Sequence, residues 1–311
     1  MQVLVFLNMT PISQRLAFIL LLLTPALWSV NYLVARMAPG EIAPHMLALG
    51  RWALAACVLG VFAFSELREK RHLIFKNAWQ YLVLGALGMW VCGAWVYIGA
   101  RSTSATNIAL IYSLSPVFIV LCASIWLHEK LRSVQWLGIA LAMIGLVHVV
   151  IKGQWGNLLL VRFVAGDLWI LVCAFSWAGY ALLMKRWPTD FSPLARLVLI
   201  ALGGCIVLLP FTIAEAYSGL PLTQTQWGWK SFALITASGL LPGALAYWAY
   251  GAAQKTLGAA RTAMALYMGP LYGGLLGWAV LGEPIRAYHL AGAALILPGL
   301  YLASMAQKAK S

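Results

Sequence analysis

Ten apolar runs, each about long enough to cross hydrocarbon as a helix, decide what this chain can fold into. They lie at roughly 16–36, 44–64, 79–98, 105–127, 134–151, 167–185, 195–216, 231–252, 260–281 and 287–306. About 20 apolar residues at ~1.5 Å rise span the ~30 Å core of a bilayer. Composition agrees: of 311 residues, 63% are hydrophobic and 9% charged, where a soluble domain carries about 45–50% and roughly 25%. Strands of a membrane barrel would be short and alternating rather than continuous. The expected fold class is therefore an all-α polytopic membrane protein with ten transmembrane helices and membrane lipid as its surroundings.

The net charge of +13 does not point to nucleic acid, because Lys and Arg are scattered between apolar runs and form no basic stripe. They act as topology signals. With the N-terminus inside, Arg15, Arg68, Lys70, Arg71, Lys76, Lys130, Arg132, Lys185, Arg186, Lys255, Lys308 and Lys310 fall on the inner side. Arg36, Arg101, Lys152, Arg162, Lys230 and Arg286 fall on the outer side. Twelve against six puts both termini in the cytoplasm by the positive-inside rule. Cys57, Cys92, Cys122, Cys173 and Cys205 lie in apolar runs and never form C-x-x-C, so neither a disulfide framework nor a metal or other cofactor is expected. The N-terminal stretch has the residue order of a signal peptide. Its apolar run continues to Arg36 and its end reappears later in the chain, so retention as the first helix is expected.

That reappearance is part of an internal repeat. "IYSLSPVFIVLCASIWLHEKL" at 111–131 and "ALYMGPLYGGLLGWAVLGEPI" at 265–285 share landmarks at a constant offset of 154: Pro116 with Pro270, Glu129 with Glu283, and beyond them Arg132 with Arg286, Gly138 with Gly292 and Gly145 with Gly299. At offset 153, "WVYIGA" meets "WAYGAA"; at offset 149, Trp28, Pro39 and Pro44 meet Trp177, Pro188 and Pro193. The chain reads as two five-helix units, 16–151 and 167–306. Five is odd, so the second unit enters the membrane from the opposite side, and the result is a pair of inverted repeats. That plan is associated with alternating access around a midplane substrate site. Pro116 and Pro270 each remove a backbone N–H and free the carbonyl four residues earlier; static kink and hinge both satisfy the pattern.

At these residues the sequence resembles the drug/metabolite transporter superfamily, specifically the EamA family with its two EamA units. "ALWSVNYLVAR" at 26–36, "LALGRWALAA" at 47–56, the proline-to-"LHEKL" run at 114–131 and "LGEPI" at 281–285 carry the likeness, which extends over about 16–306. The resemblance implies export of small metabolites across a bacterial inner membrane, with the amino-acid exporters, including the aromatic branch, as the nearest functional comparison. Related small multidrug exporters use a glutamate in their first helix; here that helix offers Asn31 and Tyr32 and no acid.

Glu41, Glu66, Glu69, Glu129, Asp167, Asp190, Glu215 and Glu283 all fall in loops or at span ends. Acids in mid-membrane mark proton relays, so their absence argues against carboxylate-driven antiport; Asp167, Glu215 or His148 would have to overturn that. Trp90, Ala94, Tyr97 and Arg101 share one helical face, as do the matching Gly243, Tyr247, Tyr250 and Gln254. Trp28 with Asn31, and Trp177 with Tyr180, add one face each. Ser113 and Tyr267 precede the two prolines by three residues. Aromatic walls with a few hydroxyl and amide groups suit a cavity for small amphipathic solutes, while Trp155, Trp227 and Trp229 read as interfacial anchors. Arg51 reads first as a structural charge that reaches toward the outer surface, and second as a ligand for a substrate carboxylate. Gly273 and Gly277 read as packing positions. His128-Glu129 lacks the second histidine of a zinc motif, and no nucleophile–base or two-Asp constellation lies in the spans, so no enzyme is expected.

The resulting expectation is a monomeric inner-membrane exporter of small amphipathic metabolites, chiefly aromatic and other apolar amino acids. Its substrate-binding residues would be Trp28, Asn31, Trp90, Tyr97, Ser113, Trp177, Tyr180, Tyr247, Tyr250 and Tyr267, with Pro116 and Pro270 as hinges. Proton-coupled drug efflux and a channel-like subunit are the alternatives.

Overall fold

Helices begin where the sequence supplies caps. In this computed structural model, which describes residues 12–126, 131–156, 164–219, 224–257, 262 and 265–303, α1 spans Gln14–Met37 and Ser13 Oγ accepts from the Leu16 N–H at 3.3 Å. Ser104 caps α4, Ala105–Tyr112, by accepting from the Asn107 N–H. Ser192 caps α8, Pro193–Tyr217, by accepting from the Ala195 N–H. Each hydroxyl satisfies one of the donors that a helix start leaves without an intrahelical partner, and Pro193 occupies a first-turn position that needs no donor.

Among the described residues, eight segments are long and apolar enough to cross a membrane: α1, α2 (Pro44–Glu69), α3 (Ala78–Gly99), Ala105–Cys122, α6 (Ser133–Val150), α7 (Ala165–Arg186), α8 and α9 (Trp229–Leu257). The Ala105–Cys122 span joins α4 to the start of α5, Ser115–Trp126. Two shorter apolar helices follow, α10 (Gly269–Leu281) and α11 (Ala287–Ala303). The described residues are all helix and connection, with no strand. His128, Glu129, Lys130, Arg162, Lys308 and Lys310 lie outside the described residues. Phe18, Ile19, Val61, Phe64, Leu202, Ile206 and Leu290 point outward, between 47% and 66% exposed, as hydrocarbon surroundings require.

Two features were not legible in the apolar pattern. α3 and α9 each contain a widened π-helical segment, Ala86–Val91 and Gly239–Leu245, whose starts are 153 residues apart. π segments occur mostly as short bulges, frequently at functional sites. Secondly, Pro116 does not kink a continuous helix. α4 ends at Tyr112, and Pro116 sits in the first turn of the restarted α5. The carbonyl that the proline would leave unpaired, that of Tyr112, accepts from Ser115 Oγ at 2.7 Å. Pro270 has the same placement in α10, preceded by a 3₁₀ turn over Ala265–Met268.

α6 packs along α11, α2 along α8, α1 against α9 and α10, and α7 against α3, α4 and α5. The α6–α11 seam shows how close the approach is. A methyl on Gly138 would stand 2.6 Å from the Gly299 carbonyl oxygen, and one on Gly299 would stand 2.6 Å from the Ala142 nitrogen. Gly145 meets Ile296 and the Gly292 carbonyl in the same way. The glycines that mark the sequence repeat therefore interlock with one another, as small residues do where helix backbones touch.

Candidate functional site

A cavity of about 450 Å³ opens inside the bundle, within the range that small-molecule sites occupy. α1 brings Trp28, Asn31 and Tyr32; α2 brings Arg51 and Trp52; the α4–α5 break brings Tyr112, Ser113 and Pro116. From the other half come Trp177 and Tyr180 on α7, Tyr247, Tyr250 and Gln254 on α9, and Tyr267 with Pro270 at the start of α10. Eight of the ten expected binding residues and both prolines thus line one space. Trp28 packs edge-on to Tyr247 at 5.6 Å and tilted against Tyr250 at 5.4 Å; Trp177 stacks on Tyr180 at 5.0 Å.

Trp90 and Tyr97 do not line it. Trp90 turns away and stacks on Phe211 of α8 at 4.1 Å. Tyr97, 1% exposed, lies behind the wall and donates to Asn31 Oδ1 at 2.8 Å. The reason is positional. α9 carries Gln254 to the end of the bundle where Met184, Pro193 and Leu194 also line the cavity, whereas Tyr97 on α3 lies behind the wall between Asn31 and Arg51. Equivalent positions on the two helices, Tyr97 and Tyr250, therefore meet different surroundings.

The end where α1 and α3 finish is tied by polar contacts between distant segments. Arg36 Nε donates to Glu283 Oε1 at 2.7 Å and Arg36 Nη1 to the Ala100 carbonyl at 2.6 Å, while Glu283 Oε2 accepts from the Ala105 N–H at 2.8 Å. Lys230 pairs with Glu41 at 2.9 Å, and Glu215 accepts from the His45 backbone N–H at 2.9 Å. Asp167, in the first turn of α7 and 1% exposed, accepts from Thr103 Oγ1 and from Asn107 Nδ2, and Asn107 in turn bonds to His289 at 3.1 Å. These acids hold segments together, and none of them lines the cavity.

Arg51 departs from the surface-reaching expectation. It is 6% exposed, and its Nη1 donates to Asn31 Oδ1 at 2.7 Å and to the Tyr97 hydroxyl at 3.3 Å. Its guanidinium carbon stands 4.6 Å from the centre of the Trp52 ring. Trp52, Tyr32 and Tyr112 are not among the expected binding residues, because helical spacing alone does not say which aromatic residue faces inward. Tyr32 and Tyr112, 80 positions apart in the sequence, stack at 6.2 Å. Trp155, Trp227 and Trp229 are exposed, consistent with interfacial anchoring.

The model of the EamA-like transporter family matches twice, over residues 15–151 and 164–305. The chain is 27% identical over 292 residues to the uncharacterized transporter YyaM of Bacillus subtilis, covering 92% of this chain and 93% of that one. It is 24% identical over 284 residues to a protein of Streptantibioticus cattleyicolor described as a "probable terminal-alkyne amino-acid exporter", with 91% of each covered. A solved crystal structure superimposes with a TM-score of 0.61 at 18% identity, covering 94% of this chain and 97% of the other, and so shares the fold. With two family units matched across nearly its whole length, the chain belongs to the EamA-like transporter family.

Proposed function

We propose that this protein exports small amphipathic metabolites, chiefly amino acids with aromatic or other apolar side chains, across a bacterial inner membrane, with both termini in the cytoplasm. The carrying observation is the cavity wall, to which Trp28 and Trp177, Asn31 and Tyr180, Ser113 and Tyr267, and Pro116 and Pro270 contribute in repeat-related pairs. A solute held there touches both halves at once. Units 16–151 and 167–306 act as inverted repeats of five spans each. The interlocked repeat glycines of α6 and α11 and the paired π segments support that relation. On this reading the protein is inward-facing, and Arg36–Glu283 lies on its closed outer side. Alternating access would open that side and close the other, with the breaks before Pro116 and Pro270 as hinges. The protein works as a monomer, and flux follows the solute gradient, which fits a lining without any Asp or Glu among the described residues.

The test is flux of labelled L-phenylalanine into proteoliposomes containing the purified protein. Saturation with concentration, and competition by other apolar amino acids, is expected. Flux that rises linearly through millimolar solute would mean a channel, and no flux of any amino acid would remove the reading.

A further inference from the structure

Arg51 is the one charged side chain on the cavity wall among the described residues. Its surroundings leave the charge uncompensated. Arg36, His45, Lys70 and Lys230 each pair with an acid; among the described residues Arg51 has hydrogen bonds to Asn31 and Tyr97 alone, both from Nη1. Its Nε–H is buried and has no partner. A guanidinium carries five N–H donors in a planar fork, so most of its capacity remains unused. Burying an unpaired charge is costly, and a partner that forms hydrogen bonds relieves the cost.

Helix packing does not account for the residue. At the repeat offset of 149, the position equivalent to Arg51 is Ile200, which also lines the cavity. An aliphatic side chain therefore fills that place in the second half, and the charge is an addition confined to the first. Asn31 Oδ1 receives bonds from both Arg51 and the Tyr97 hydroxyl, so the two polar neighbours hold the guanidinium in place without neutralising it. The Trp52 ring lies against it, and Tyr247 and Trp28 continue the wall from there, with ring centres 6.1 Å apart between Trp52 and Tyr247 and 5.6 Å apart between Trp28 and Tyr247.

We infer that Arg51 is the anchor for a substrate carboxylate, so that this cavity selects monocarboxylates with an aromatic or apolar body and reads the anionic group in preference to an amine. The inference rests on the exporter reading and narrows its substrate class. A carboxylate presents two oxygens to the fork of an arginine, a geometry that an ammonium or a neutral amide cannot supply. Among the described residues the wall offers no carboxylate to receive an ammonium, so an amino group contributes little to selection.

Four compounds sharing one phenyl body separate the groups: L-phenylalanine, 3-phenylpropionate, 3-phenylpropionamide and phenethylamine. Binding to the purified full-length protein is measured by titration calorimetry, and flux in proteoliposomes. Wild-type protein is expected to bind phenylalanine and phenylpropionate within a few-fold of each other, and the amide and amine at least tenfold more weakly. Arg51→Gln should lose about tenfold or more for the two carboxylates and leave the amide unchanged, with Arg51→Lys between. The wild-type series needs no variant to fold. Amide or amine binding as tight as that of the carboxylates overturns the assignment. Saturable flux of the amide or amine without the carboxylates keeps the exporter and removes the anchor, whereas no saturable flux of any of the four removes both.

Discussion

Arg36 and Glu283, 247 residues apart in sequence, meet at 2.7 Å where the C-terminal end of α1 reaches the turn after α10. The same carboxylate also holds the first N–H of α4, so one side chain joins three segments. The pair is partly exposed, and a pair of that kind contributes about 1 kcal/mol. Glu283→Gln should shift the balance between the two access states by about fivefold. A cysteine replacing Tyr32 should then react faster with an impermeant reagent added outside. An unchanged rate would mean that the pair does not hold the outer side.

Trp28→Ala removes contacts with Tyr247 and Tyr250 and should raise KM for phenylalanine by about tenfold, since a buried aromatic carries roughly 1.5–3 kcal/mol of apolar burial. Trp90→Ala removes a stack on Phe211 outside the lining. It should lower thermal stability and leave KM near its original value. Equal KM effects from both would place Trp90 at the cavity after all.

Ser115→Ala deprives the Tyr112 carbonyl of its hydroxyl donor and should cost about 1–3 kcal/mol, as loss of a buried hydrogen-bond partner does. In a Pro116→Ala background the cost should shrink, because the substituted alanine supplies an N–H that can reach the same carbonyl. Thermal unfolding of the four proteins in this cycle measures the coupling. If the two substitutions add without coupling, packing and not the missing donor sets the break. Single-turnover flux of Pro116→Ala, slowed at unchanged stability, would support the hinge.

Gly299→Ala places a methyl 2.6 Å from the Ala142 nitrogen. Backbone cannot yield as a side chain tip does, and overpacking of this kind costs about 1–3 kcal/mol. Gly179→Ala, whose methyl would meet only Leu87 at 3.7 Å, should be tolerated. Yield of folded protein in size-exclusion chromatography compares the two, and equal loss would count against the α6–α11 seam.

Asp167→Asn keeps an acceptor for Thr103 and Asn107, so the protein should fold and its flux should stay insensitive to an imposed pH step. Acceleration of wild-type flux by the step, abolished in the variant, would make Asp167 a proton site in place of a tie between helices.

Much of the bundle is legible in the sequence because hydrocarbon demands continuous apolar length, and the repeat landmarks add a second, independent register. Gly138, Gly145, Gly292 and Gly299 are visible as repeats, although their mutual contact is not. Trp28, Trp177, Tyr247 and Tyr250 group on faces that do line the cavity. Tyr97 does not, because spacing gives rotation about a helix axis but not depth along the bundle, and depth separates it from Tyr250. The π segments stay hidden since a widened turn leaves the apolar count unchanged. Arg51 stands out in the sequence, yet its neighbours Asn31 and Tyr97 come from other helices, and only packing brings a charge and its unfilled donors together.

The position of Arg51 also bears on how the chain is made. Asn31 lies 20 residues before it and Tyr97 46 residues after it. When α2 leaves the ribosome, one polar neighbour already exists and the other has not been synthesised. A lone arginine at a helix centre costs about 2.5–3.5 kcal/mol on insertion, and Arg51, two turns into α2, carries part of that cost, so α2 is best accommodated beside α1 and completed by α3. The first three helices would then enter the membrane as one hairpin-like group, the charge passing from water to protein without facing lipid alone.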